Sequence, residues 1–124
     1  MKLLLLLCGL YGLTACQDTS SPAAPPTAYD VPKERFRELM DQEDVVILDV
    51  RTPEETAEGM IEGARQIDFR AEDFREQIGR LDRDKTYLVY CRSGRRSGNA
   101  CAMLDTLGFE RRYNLEGGYL AWEE

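Results

Sequence analysis

Hydrophobic positions along the chain fall into two alternating kinds of run. Phe36, Leu39 and Met40 recur at helical spacing behind Asp30-Val31-Pro32-Lys33, where an acid and an early proline predict a helix start. Val45-Val46-Ile47-Leu48-Asp49-Val50 is a continuous apolar run rich in β-branched residues, predicting a strand buried on both faces. Thr52-Pro53-Glu54-Glu55 has the spacing of a capping box with proline at the first helical position, so a helical turn follows. Gly59 and Gly63 bracket a turn, residues 64–67 predict a short strand, and Phe74, Ile78 and Leu81 predict a third helix. Tyr87-Leu88-Val89-Tyr90 is a second buried strand. Ala100, Cys101, Leu104 and Leu107 make the stripe of the next helix, closed by Gly108. Tyr113-Asn114-Leu115 predicts a further strand, and Gly117-Gly118 turns into a last helix bearing Trp122. Strands alternating with helices imply an α/β fold, a largely parallel sheet covered on both faces. Ligands of such sheets bind beyond the carboxyl ends of the strands.

The N-terminal pattern is of another kind. Lys2 precedes Leu3-Leu4-Leu5-Leu6-Leu7-Cys8-Gly9-Leu10, a run too short to span a bilayer, which takes about 20 apolar residues, and reading as a secretory leader. It ends in Leu13-Thr14-Ala15-Cys16, which resembles the bacterial lipoprotein processing box and implies lipidation at Cys16. Residues 17–30 contain Ser20-Ser21-Pro22-Ala23-Ala24-Pro25-Pro26 without apolar periodicity and read as an extended tether. The expected organisation is a signal peptide over 1–15, a lipidated cysteine and tether over 16–30, and one domain over 31–124. That places the domain in the cell envelope, facing the periplasm through a lipid anchor. Gln17 follows the cysteine in place of the Asp that retains such proteins at the inner membrane, which favours the outer one.

Charge narrows the partners. A formal net charge of −7 excludes nucleic acid as a natural ligand and gives no attraction to anionic headgroups. The chain has no histidine, and Cys91 and Cys101 are the two cysteines of the domain; neither a disulfide scaffold nor a metal site is expected. Cys101 belongs to the apolar stripe of its helix and reads as core. Helical rise carries it roughly 9 Å from the loop of Cys91, beyond the usual disulfide reach of about 7 Å.

Against this acidic background, Cys91-Arg92-Ser93-Gly94-Arg95-Arg96 sets one thiol among three guanidiniums at the end of a strand. A free thiol titrates near 8.5 and is a poor nucleophile until deprotonated. With no histidine to activate it, loop amides, the start of the following helix and nearby arginines must do so. Ser93-Gly94 permits the backbone angles of such a cradle. Arg96 and Arg92 are the expected anion contacts, with Arg95 solvated. Arg111-Arg112 reads as a solvated edge, and Tyr119 and Trp122 as core and C-terminal anchoring.

Several segments together resemble a single-domain rhodanese. They are Leu48-Asp49-Val50-Arg51-Thr52-Pro53-Glu54-Glu55, Gly59-Met60-Ile61-Glu62-Gly63-Ala64, Tyr90-Cys91-Arg92-Ser93-Gly94-Arg95-Arg96-Ser97, Gly108-Phe109 and Glu116-Gly117-Gly118-Tyr119-Leu120-Ala121-Trp122. The resemblance implies a five-stranded, mostly parallel sheet between helices and a sulfurtransferase. Cys91 would carry a sulfane sulfur as a persulfide, the residues Arg92 to Arg96 would form its pocket, and Asp49 and Arg51 would support the loop from behind. It implies a small sulfur-containing anion such as thiosulfate or a persulfide as donor, a thiol acceptor, no cofactor and a monomer. Two departures stand out: Met60 and Glu62 replace the family's usual His and Pro, and Arg65-Gln66 replaces an apolar residue and Asn. An alternative with the same cysteine chemistry is a non-enzymatic persulfide carrier or docking module. Phosphatases and arsenate reductases of this fold have one more residue between the cysteine and the closing arginine, and the six residues from Cys91 to Arg96 favour sulfur.

Overall fold

The computed structural model describes residues 24–124; the leader and Cys16 lie outside the described residues. One sheet of five parallel strands organises the domain: β1 (Asp30–Val31), β2 (Val45–Asp49), β3 (Arg65–Gln66), β4 (Thr86–Tyr90) and β5 (Arg112–Leu115), in the order β1-β5-β4-β2-β3. The helices are α1 (Lys33–Met40), α2 (Pro53–Thr56), α3 (Phe74–Gly79), α4 (Arg95–Thr106) and α5 (Gly118–Trp122). The expected α/β architecture, with a parallel sheet between helical layers, is present. No helix among the described residues is long and apolar enough to cross a membrane.

The central strand explains the two layers. Side chains of a strand alternate between faces, and all five residues of β4 are buried. Tyr87, Val89 and, just past the strand, Cys91 join the core built with Phe74, Ile78 and Leu104 from α3 and α4. Leu88 and Tyr90 join the opposite core, with Phe36 and Leu39 of α1 and Leu115 of β5. Cys101 is fully buried within the α4 layer, and burial pushes its thiol well above the ordinary range. Trp122 closes the other layer, its ring 5.9 Å from that of Phe36 and edge-on to it, with the Arg37 guanidinium above it.

Three expectations are corrected. Asp30-Val31 does not open the first helix but forms an edge strand on β5. Val31 precedes a proline, which disfavours helical angles, and β5 offers its backbone: Asn114 and Glu116 donate their amides to the Tyr29 and Val31 carbonyls at 2.8 and 2.9 Å. The segment from Thr27 to Asp30 is held at this edge of the sheet. Asp30 accepts the Thr27 amide and hydroxyl at 2.9 and 2.5 Å and the Asn114 amide at 2.8 Å. Second, the Val45–Ile47 half of β2 is only partly buried, because two-residue β3 pairs with Leu48 and Asp49 alone and leaves the first half at the sheet edge. Third, Arg112 is no solvated edge: its guanidinium stacks on Tyr29 and pairs with Asp105 at 2.8 Å.

Candidate active site

The chain leaves β4 at Tyr90, turns through four residues and re-enters helix at Arg95, so Cys91 falls at the carboxyl end of a central strand. The turn depends on Gly94, whose φ of 102° lies in the left-handed region that L side chains rarely adopt. Its reversal folds the chain back on itself, and the Gly94 amide donates to Cys91 Sγ at 3.1 Å. From the first turn of α4, the Ser97 hydroxyl donates to the same sulfur at 3.3 Å. Cys91 is 1% exposed and Ser97 fully buried, so both hydrogen bonds act away from bulk water, where they are strongest. The structure thus sets two hydrogen-bond donors, the Gly94 amide and the Ser97 hydroxyl, on the Cys91 sulfur.

The rest of the loop is held by its backbone. The Tyr119 and Leu120 amides at the start of α5 donate to the Cys91 and Arg92 carbonyls at 2.8 and 3.1 Å. That contact needs Gly118: a Cβ there would lie 2.7 Å from the Cys91 carbonyl oxygen and still closer to that of Arg92, at a left-handed φ of 62°. Gly118→Ala is expected to cost at least about 2 kcal/mol and to lower Tm by roughly 10 °C, as differential scanning calorimetry would show. On the other side, Asn114 donates to the Gly94 carbonyl at 3.1 Å and to Asp30, tying the loop to the edge strand.

Asp49 and Arg51 lie directly behind the loop, both buried. Asp49 Oδ1 accepts from the Arg51 backbone amide and Nε at 3.0 Å each, and Oδ2 accepts from Nη2 at 2.8 Å. Arg51 also donates to the Gly59 carbonyl at 2.6 Å and stacks under Tyr119, 4.2 Å from the ring centroid. Tyr119 in turn stacks on Tyr90, the residue before the cysteine. Burial pushes the Tyr90 phenol upward, and its oxygen accepts the Ile61 amide at 3.0 Å. The Asp49–Arg51 pair therefore braces β4 and α5 together at the loop. Gln66, one of the family departures, donates to the Arg51 carbonyl at 3.1 Å and belongs to the same brace.

The arginines divide differently from the expectation. Arg92, Ser93 and Arg95 are exposed. Arg96, expected to contact the anion, instead gives both terminal nitrogens to Glu55 on α2, at 2.8 and 2.9 Å. The cause is local: the Thr52 capping box presents the Glu55 carboxylate toward the start of α4. The hydrogen bonds to Glu55 raise the Arg96 guanidinium above its ordinary value, burial opposing, with a smaller contribution from Cys91. Three contributors were missed from sequence: Ser97, Asn114 and Glu55. Ser97 carried a signal, a small hydroxyl residue on the inward side of a helix directly after the loop. Asn114 and Glu55 carried none, since their partners come from distant segments.

Comparisons with known proteins identify the family. The family model of the rhodanese-like domain matches residues 32–124. A sulfurtransferase from Allochromatium vinosum is 44% identical over 84 residues, 68% of this chain and 77% of that protein. Thiosulfate sulfurtransferase GlpE of Pseudomonas putida is 38% identical over 93 residues, covering 74% of this chain and 82% of its own. The crystal structure of a rhodanese-like domain protein from Staphylococcus aureus superposes with a TM-score of 0.66 at 30% identity, over 75% of this chain and 89% of that one. By sequence and by backbone alike, the chain belongs to the rhodanese-like domain family.

Proposed function

We propose that the protein is a sulfurtransferase that moves a sulfane sulfur from thiosulfate, or a persulfide donor, to a thiophilic acceptor through a Cys91 persulfide. The Cys91 thiolate attacks the outer sulfur of thiosulfate. A bond forms between the two sulfurs, the bond to the sulfonate sulfur breaks, and sulfite leaves with the electron pair. The terminal sulfur of the persulfide then passes to the acceptor, cyanide in an assay or a thiolate in a cell, and the Cys91 thiolate is regenerated. This is covalent catalysis with ping-pong kinetics. The observation that carries the reading is the pair of donors on Cys91 Sγ, the Gly94 amide and the Ser97 hydroxyl. They stabilise negative charge on Sγ as a thiolate, and sit where it returns as the persulfide's leaving group. No proton relay is needed, which suits a chain without histidine.

Ser97→Ala removes one of those donors. It is expected to lower kcat/KM for thiosulfate about tenfold, the worth of one hydrogen bond to a charged group, while the Gly94 amide sustains residual turnover. Colorimetric thiocyanate formation from thiosulfate and cyanide measures this, and an unchanged kcat/KM would remove Ser97 from the mechanism. For location, Leu13-Thr14-Ala15-Cys16 supports a lipid anchor at Cys16 and a domain facing the periplasm, and Gln17 after the cysteine favours the outer membrane.

A further inference from the structure

Arg96 closes the loop around Cys91, yet its fork is occupied. Its two terminal nitrogens bind the two oxygens of Glu55 at 2.8 and 2.9 Å, and the side chains are only 16% and 25% exposed. Glu55 is itself fixed: its Oε1 accepts the Thr52 hydroxyl at 3.2 Å and the Thr52 amide at 3.4 Å, while its own amide donates to the Thr52 hydroxyl. The Arg96 hydrogen bond, ahead of the rest, lowers Glu55 to about 2, so the carboxylate stays ionised and in place far into acid. Arg51, another guanidinium of the neighbouring cleft of about 350 Å³, is committed to Asp49 and the Gly59 carbonyl. That leaves Arg92 and Arg95, both exposed, as the guanidiniums of the loop without an ion-pair partner among the described residues.

A tetrahedral oxyanion is held tightly where a fixed guanidinium offers two parallel donors. Arg96 would be such a group beside the sulfur if Glu55 were not on it. We propose that Glu55 is a specificity-determining residue, whose bidentate hold on Arg96 denies inorganic phosphate and sulfate a binding fork in the Cys91 loop. The inference concerns the same loop as the sulfur-transfer reading, but its test is a binding measurement that needs no turnover.

The dissociation constant of inorganic phosphate is measured by isothermal titration calorimetry on the reduced full-length chain and its variants. Glu55→Gln is expected to bind phosphate about tenfold tighter than the unsubstituted protein or more. The double variant Glu55→Gln/Arg96→Met is expected to lose that gain. Glu58→Gln makes the same change of charge in the same cleft without touching Arg96 and is expected to shift affinity less than about twofold. Should Glu55→Gln fail to fold by circular dichroism, Glu55→Asp serves, a shorter carboxylate that keeps the charge but cannot reach both nitrogens; a smaller gain, again abolished with Arg96→Met, is expected. The proposal is overturned if the folded Glu55 variant binds no tighter than the unsubstituted chain, if Glu58→Gln gains as much, or if the gain survives without Arg96.

Discussion

Cys91→Ser is expected to abolish sulfur transfer, lowering kcat/KM for thiosulfate at least about a thousandfold, while leaving the melting temperature within a few degrees. The asymmetry follows from where the cysteine sits. Its side chain is buried in the α4 layer, and serine is of similar size, with an oxygen that still accepts from the Gly94 amide and the Ser97 hydroxyl. What serine cannot do is accept a sulfane sulfur and release it again, because its hydroxyl ionises far above neutral pH. Cys101→Ser makes the complementary case. That thiol is fully buried in the core, is held protonated by burial and contacts no loop donor. Its substitution is expected to reduce stability while leaving kcat/KM near its original value. Activity that survives Cys91→Ser, or falls with Cys101→Ser in folded protein, would reverse the assignment.

Asp49→Ala is expected to be the most destabilising single substitution behind the loop, costing about 3–5 kcal/mol. The magnitude comes from what remains: Arg51, 4% exposed, would keep its charge in the interior with no carboxylate facing it. Arg51 would retain the Gly59 carbonyl and the Tyr119 ring, neither of which neutralises it. Replacing both partners removes the uncompensated charge, so Asp49→Ala/Arg51→Met is expected to be more stable than Asp49→Ala alone. Urea titrations of the three variants measure the coupling. A double variant less stable than Asp49→Ala would mean that Arg51 stabilises chiefly through Gly59 and Tyr119. Activity is expected to fall in step with stability, because the pair braces the backbone on either side of Cys91 and touches no reacting atom.

The elements legible in the sequence are those whose signal is local. β4 reads as a buried strand because four consecutive apolar residues can only be satisfied between two layers. α2 reads as a helix start because Thr52 and Glu55 carry a reciprocal cap in their spacing, and the structure contains that cap. Cys91 reads as the reactive group because one thiol stands among three arginines after a strand, in a chain otherwise acidic. What stays hidden depends on partners far apart in sequence. β1 has two residues and no pattern of its own; it exists because β5 presents an open edge to it. Asn114 joins Asp30 to Gly94 across the sheet, a link that no spacing announces. The pairing of Arg96 is hidden for the same reason. Beside a cysteine in sequence Arg96 reads as an anion ligand, and only the fold reveals that the cap of a separate helix has aimed Glu55 at it. Charge patterns thus single out a loop, while the partner of each charge is set by contacts that only the fold makes.

Intact mass spectrometry tests the persulfide most directly. The reduced protein is exchanged into buffer free of reductant, incubated with thiosulfate, and weighed before and after addition of cyanide, with peptide mapping of the loop. The expected result is a gain of one sulfur atom, mapped to Cys91 and not Cys101, lost on cyanide addition with formation of thiocyanate, and missing in Cys91→Ser. A folded, reduced chain that gains no sulfur from thiosulfate or from a persulfide donor, or that gains it elsewhere, would contradict sulfur transfer through Cys91.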